Sequence, residues 1–233
     1  MEDLSETILK LNKKYEMNNC NGYMHDNDCN FDIYLGNYPI LLSAPHAVKQ
    51  MRNMLTKKSD ILTGAITEYL CYRENVFGII RSYNLKDDPN YENKGYGLLY
   101  KQAILSLIQE YNILYLIDIH GCSDYFSFDI DIGTNDGKNV LYYDEMISVI
   151  YKELSSLGEI GINVKFKASR DTNICKYIHD NAKISCYQLE ISHKLRVDKT
   201  NRLLCALINM LESMKQKIIL EERKKDKQLK LSL

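Results

Sequence analysis

Three short apolar runs in this chain each end in a side chain that can bind a metal or move a proton. Pro39-Ile40-Leu41-Leu42-Ser43-Ala44-Pro45 leads to His46, Leu114-Tyr115-Leu116-Ile117-Asp118-Ile119 to His120, and Tyr187-Gln188-Leu189 to Glu190. Buried strands of an α/β sheet are near-continuous apolar runs, and ligands bind beyond their carboxyl ends. The three tips are therefore candidates for one cleft, and their chemistry is that of a hydrolytic metal site. A catalytic zinc takes three protein ligands from His, Asp, Glu or Cys and leaves a position open for water. His46 and His120 supply two, and Pro45 restrains the backbone just before the first.

The third ligand is less direct, because the HxxE spacing of many zinc peptidases is absent and Lys49 stands three residues after His46. Asp60 is the substitute, with helix N-capping as its competing role and Glu68 as the reserve, read as a solvent-facing or packing-edge residue. Asp118 shares a strand face with His120 and could orient its ring. A carboxylate at Glu190, ending an apolar strand, needs a partner. It could serve as the base for the attacking water, or simply pair with Lys194 or Arg196. Arg81, Arg170 and Arg196 are candidates to clamp a substrate carboxylate, Arg196 foremost because it follows the Glu190 strand. Asn90, within Asp87-Asp88-Pro89-Asn90-Tyr91, could hydrogen-bond the substrate, although turn chemistry also accounts for that segment.

Other constellations fall short. Cys20, His25 and Cys29 offer only three ligands and no CxxC pair, so a structural zinc is not expected. Gly95-Tyr96-Gly97 lacks the spacing and the Lys of a phosphate loop, which argues against a nucleotide enzyme. No nucleophile elbow surrounds Ser43, Cys122 or Ser123.

The elements that must position the tips follow from periodicity. Leu4, Ile8, Leu11 and Tyr15 predict an amphipathic helix, then 18–30 reads as polar loop. Strands are expected over 31–35 and 39–44, joined by the hairpin-like turn Gly36-Asn37-Tyr38. Helices are expected over 60–73 and from Tyr96 to about 110, with strands over 76–80 and 113–119. Phe126, Phe128, Ile130 and Ile132 alternate with polar residues, as in an edge strand with one solvated face. A helix over 144–157, a strand over 162–166, a helix starting near Asp171, a strand over 184–191 and a helix from Thr200 complete the chain. Strands alternating with helices predict a three-layer α/β/α sandwich on a mixed, largely parallel central sheet.

The 233 residues suffice for one sizeable core, and no composition break suggests a second. One domain, 1–233, is expected, with an accessory N-terminal helix (about 3–15) and a charged C-terminal tail (about 220–233). A formal charge of −1 gives no global attraction to nucleic acid or to an anionic membrane. No stretch reaches the length of a membrane span, and Met1-Glu2-Asp3 lacks the basic-then-apolar signal pattern. A cytoplasmic protein is expected, with neither nucleic acid nor membrane as partner. The seven cysteines, odd in number and scattered, are expected as reduced and mostly buried thiols, including Cys71, Cys186 and Cys205. Abundant Lys, Asn, Ile and Tyr without Trp looks like the product of an AT-rich bacterial genome.

Taken in order, Ser43-Ala44-Pro45-His46, Asp60 with Thr63-Gly64, Ile117-Asp118-Ile119-His120-Gly121 and Gln188-Leu189-Glu190-Ile191 resemble the N-formylglutamate amidohydrolase family over residues 38–210. The resemblance implies a zinc carboxypeptidase- and aspartoacylase-like (phosphorylase/hydrolase-like) fold with zinc at the carboxyl edge of the sheet. It implies His46, Asp60 and His120 as zinc ligands, Glu190 beside the attacking water and Arg196 as a basic position just beyond. The implied reaction is hydrolysis of a linear amide in an N-formyl- or N-acyl-amino acid or short peptide. A non-catalytic ligand-binding module with a vestigial metal site and a metallocarboxypeptidase-like peptidase are the competing readings.

Overall fold

The computed structural model describes residues 4–24, 29–141 and 144–231, and side chains to residue 224 and at 228 in the last helix. In chain order the elements are α1 (Leu4–Cys20), β1 (Phe31–Tyr34), β2 (Tyr38–Ala44), β3 (Gln50–Arg52), β4 (Leu55–Lys57), α2 (Thr63–Glu74), β5 (Val76–Arg81), α3 (Gly95–Tyr111) and β6 (Tyr115–Cys122). There follow β7 (Ile130–Gly133), α4 (Met146–Leu154), β8 (Ile160–Ile162), α5 (Ile174–Ala182), β9 (Ser185–Ser192), α6 (His193–Val197) and α7 (Thr200–Leu231). Seven strands form one sheet in the order β1-β5-β2-β6-β9-β7-β8, while β3 and β4 pair as a separate hairpin. The four central strands are parallel to one another, and β1 and β7 run against their neighbours β5 and β9.

Period-two alternation explains both the layers and the site. On one face Ile40, Leu42, Ile117, Ile119, Leu189 and Ile191 pack against α1, α2, α4 and α7. On the other, Leu41, Phe77, Ile79, Leu116 and Cys186 meet Tyr100 and Ile104 of α3 and Ile174 and Ile178 of α5. Each fully buried Ile or Leu contributes about 1.5–3 kcal/mol, so this alternation alone pins the register. Toward the carboxyl ends of β2, β6 and β9, only the second face turns polar, at Ser43, Asp118, His120, Gln188 and Glu190. The register sets His120 directly beside Glu190 and Asp118 beside Gln188.

Several local expectations are corrected. Gly36-Asn37-Tyr38 does not join a hairpin, because β5 lies between β1 and β2. The alternating stretch 126–132 becomes a strand only over Ile130–Gly133, and it is internal, flanked by β9 and β8. Its expected solvated face is covered: the buried Asp131 carboxylate accepts the backbone N–H of Val164, Lys165 and Phe166 at 2.8–3.1 Å. The strand expected over 162–166 instead ends at Ile162. Among the cysteines, Cys71, Cys122, Cys175 and Cys186 are buried free thiols, whereas Cys205 is exposed on α7. Cys20 is a free thiol as well, the Cys29 thiol donates to the Phe31 carbonyl at 3.2 Å, and His25 lies outside the described residues. No helix among the described residues is long and apolar enough to cross a membrane.

Candidate metal centre

His46 sits in the turn just past β2, His120 near the end of β6, and Asp60 in the segment between the β3–β4 hairpin and α2. The Asp60 N–H donates to the His46 carbonyl at 2.8 Å, which folds the intervening hairpin back on itself. Asp60 Oδ2 lies 3.3 Å from His46 Nδ1 and 3.7 Å from His120 Nδ1, and the two Nδ1 atoms are 3.0 Å apart. One ligand atom from each of the three residues falls within 4.8 Å of the others, so the group could hold a metal ion. Asp60 does not cap α2: the cap position is Leu62, in left-handed conformation, without a side-chain bond. Its Oδ2 accepts instead from the Gly121 N–H at 2.9 Å, across the site.

The far side of each imidazole is equally determined. His120 Nε2 faces Asp118 Oδ2 at 2.8 Å, and His46 Nε2 faces Asp88 Oδ1 at 3.0 Å. A carboxylate behind each ring favours Nε2–H and turns the Nδ1 lone pair inward. Two lone pairs and a carboxylate oxygen then converge on one buried point, an arrangement that a cation or a proton must relieve. Burial alone would lower both histidines, but Asp88 and Asp60 hold His46 above its ordinary value, and Asp118 with Asp60 holds His120 well above it. Burial pushes Asp60 up, and the two imidazoles overcome this and hold it well below the carboxylate range. The pocket is thus built to concentrate positive charge.

Glu190 stands beside this group. Burial, reinforced by Asp60 and opposed by His120, raises its carboxyl to about 7. It makes no ion pair among the described residues, so neither Lys194 nor Arg196 neutralises it. Its Oε1 accepts from Gln188 Nε2 at 2.9 Å, Gln188 Oε1 accepts from Asn173 Nδ2 at 2.6 Å, and Asn173 Oδ1 caps α5 at the Lys176 N–H. A helix cap thereby fixes the orientation of the carboxylate. Ser43 is buried against the Tyr100 hydroxyl at 3.0 Å, and the Cys122 thiol is pushed up to about 12 by burial. Neither is an activated nucleophile.

The arginines fall differently from expectation. Arg81 is wholly buried, paired with Asp87, and does not line the cleft. Arg196 is 3 % exposed and spends its guanidinium on three backbone carbonyls, those of Ile61, Cys122 (3.2 Å) and Ile191 (3.0 Å). Each carbonyl lies one or two residues past Asp60, His120 or Glu190, so Arg196 is a brace for the site rather than a clamp on substrate. Gly121 is what admits it: a Cβ there would come within 2.5 Å of the guanidinium carbon. Asn90 does line the cleft, with Oδ1 held by the Ile174 N–H at 2.9 Å and Nδ2 without a partner among the described residues. Glu68, far from solvent, accepts from Tyr15 and pairs with Lys14 at 2.8 Å.

The cleft over this floor has a volume of about 550 Å³. Its lining includes residues that the sequence did not single out, Arg52, Lys57 and Lys58 from the hairpin side and Lys165 and Lys167 from the segment after β8. Asp88, whose carboxylate backs His46, falls in the sequence within a turn-forming run. The Asp-Asp-Pro-Asn run was its only local signal.

No protein-family model matches the sequence, and comparison with curated proteins finds no relative. Solved structures do match. The N-formylglutamate amidohydrolase of Ralstonia eutropha JMP134 superposes with a TM-score of 0.59 at 12 % identity, over 79 % of this chain and 97 % of that one. A bacteriophage poly-γ-glutamate hydrolase gives 0.51 at 16 % identity, over 82 % and 90 %. The tripeptide-bound cell shape determinant Csd4 of Helicobacter pylori gives 0.50 at 12 %, over 80 % of this chain and 54 % of its own. The likeness is one of architecture, and it sets this chain structurally beside N-formylglutamate amidohydrolase.

Proposed function

We propose that the chain is a zinc-dependent amidohydrolase that cleaves the linear amide of an N-formyl- or N-acyl-amino acid or a short peptide. The observation that carries this reading is the inward-facing pair of Nδ1 atoms beside Asp60 Oδ2, each ring backed by its own buried carboxylate. Two nitrogens and one oxygen make the three-ligand set of a catalytic zinc, in which His46, Asp60 and His120 are the ligands. When bound, zinc would supply Lewis acidity to the amide carbonyl and lower the pKa of water. Glu190 takes the proton as the water oxygen bonds to the carbonyl carbon. It returns that proton to the nitrogen as the C–N bond breaks, giving an acid and an amine. Burial raises this carboxyl above the ordinary carboxylate value, which strengthens it as a proton acceptor. Asn90 Nδ2 is a free donor at the cleft wall, and Arg170, exposed on the rim, is the guanidinium available to a substrate carboxylate.

Metal analysis with an amine-release assay on N-formyl-L-glutamate tests the reading. Purified protein should carry about one zinc per chain, and His46→Ala or His120→Ala should remove it. Full metal retention in both variants would end the assignment. Glu190→Gln should keep zinc and lose most turnover, and unchanged turnover would reject it as the base.

A further inference from the structure

Six cations, Arg52, Lys57, Lys58, Lys165, Lys167 and Arg170, line one cleft of a chain whose formal charge is −1. Only two carboxylates, Asp60 and Glu190, share that lining, and both lie at the floor. Asp88 engages Arg52, and Asp136 engages Lys167 at 3.2 Å. Lys57, Lys58, Lys165 and Arg170 have no ion pair among the described residues. The sheet order puts the hairpin side, which follows β2, and the segment after β8 on either side of the tips of β6 and β9. The floor is thus flanked by cations from two separate parts of the chain. The two flanks meet at Tyr91, where the guanidinium carbons of Arg52 and Arg170 stand 5.4 and 5.2 Å from the ring centroid. Like charges gathered this way repel one another and lower folded stability unless a ligand supplies the missing anions. The cleft volume falls within the range of about 300–1,000 Å³ that holds ligands larger than one amino acid.

From this we infer that the substrate is an acidic oligopeptide, a chain of amide-linked units carrying a carboxylate on successive residues, which lies along the basic rim while one amide reaches the floor. The inference rests on the amidohydrolase reading for the amide and on the rim for the carboxylates. Arg52 couples the two, since the Asp88 that it engages also backs His46.

Binding separates this inference from turnover. Fluorescence anisotropy of labelled hexaglutamate, α- and γ-linked, on Glu190→Gln protein should show saturable binding that weakens about tenfold or more at high salt. The paired substitution Lys165→Glu with Arg170→Glu, both exposed, should weaken it about as much, with the circular dichroism spectrum unchanged. Equal binding of labelled hexaglutamine would overturn the inference, as would tighter binding of a thymidine oligonucleotide of similar charge. If N-formyl-L-glutamate is hydrolysed while neither hexaglutamate binds, only this inference fails. If hexaglutamate binds a protein that holds no zinc and turns nothing over, only the amidohydrolase reading fails.

Discussion

Replacing Glu190 by Gln, which should cost the zinc-loaded protein most of its turnover, should stabilise the metal-stripped fold at alkaline pH. Burial raises this carboxyl from its ordinary 4.5 to about 7. Between those values the folded protein holds the proton and the unfolded chain releases it, so stability falls as pH rises through the window. Above it, the ionised carboxylate costs the fold about 3 kcal/mol, since each tenfold in protonation equilibrium is worth about 1.4 kcal/mol. A glutamine at this position has no such dependence and keeps the acceptor that Gln188 Nε2 uses at 2.9 Å. Urea titrations of both proteins in chelator, at intervals from pH 4.5 to 8.5, give the difference for Glu190 together with the histidines coupled to it, because groups remote from the site cancel between the two proteins. The difference should be small at the acid end and grow to about 3 kcal/mol at the alkaline end in favour of the Glu190→Gln protein. Saturating zinc should shrink it, because a nearby dication stabilises the carboxylate. A difference that is flat with pH would refute the reasoning, showing that the carboxyl is solvated or paired in solution.

Three further outcomes probe the surroundings. Asp118→Asn removes the charge behind His120 and should weaken zinc about 10–100-fold by chelator competition, and unaltered affinity would remove Asp118 from the site. Arg196→Lys gives up most of the donors that hold three carbonyls. Both the thermal midpoint and zinc affinity should fall, whereas a raised KM alone with zinc intact would restore the substrate-clamp role. Asn173→Ala should cost about 1 kcal/mol of stability through the lost α5 cap. Asn173→Asp should keep the cap but lose the donor to Gln188, so turnover drops with little change in denaturation midpoint; equal turnover in wild type and Asn173→Asp would show that Glu190 is not oriented through Gln188.

The strand tips are legible because a buried strand is written locally: an apolar run closed by His or Glu states its burial and places its end to within two residues. The same period-two pattern put Asp118 behind His120 without any knowledge of the fold. Asp60 was found for a different reason from the one that places it, since the helix start that drew attention to it is two residues further on, at Leu62–Thr63. Asp88 and Asn173 were invisible, because their partners His46 and Gln188 are 42 and 15 residues away and only tertiary contact selects them. The internal position of β7 failed similarly: Asp131 looks solvated in sequence, and only the wrap of 163–166 around it supplies three N–H donors. Arg196 drew attention by proximity to Glu190, yet which carbonyls lie within its reach depends on where three distant segments end.

His46 and Asp60 are 14 residues apart, and the whole β3–β4 hairpin, with Arg52, Lys57 and Lys58, hangs between them. An ion gripped by both therefore does what a covalent cross-link does, closing a loop and removing the entropy that its ends would have if free. Loss of the ion would loosen one basic flank as well as the floor. Under the proposed function, substrate capture and metal occupancy would form a single linked equilibrium, in which each tightens the other by the same factor.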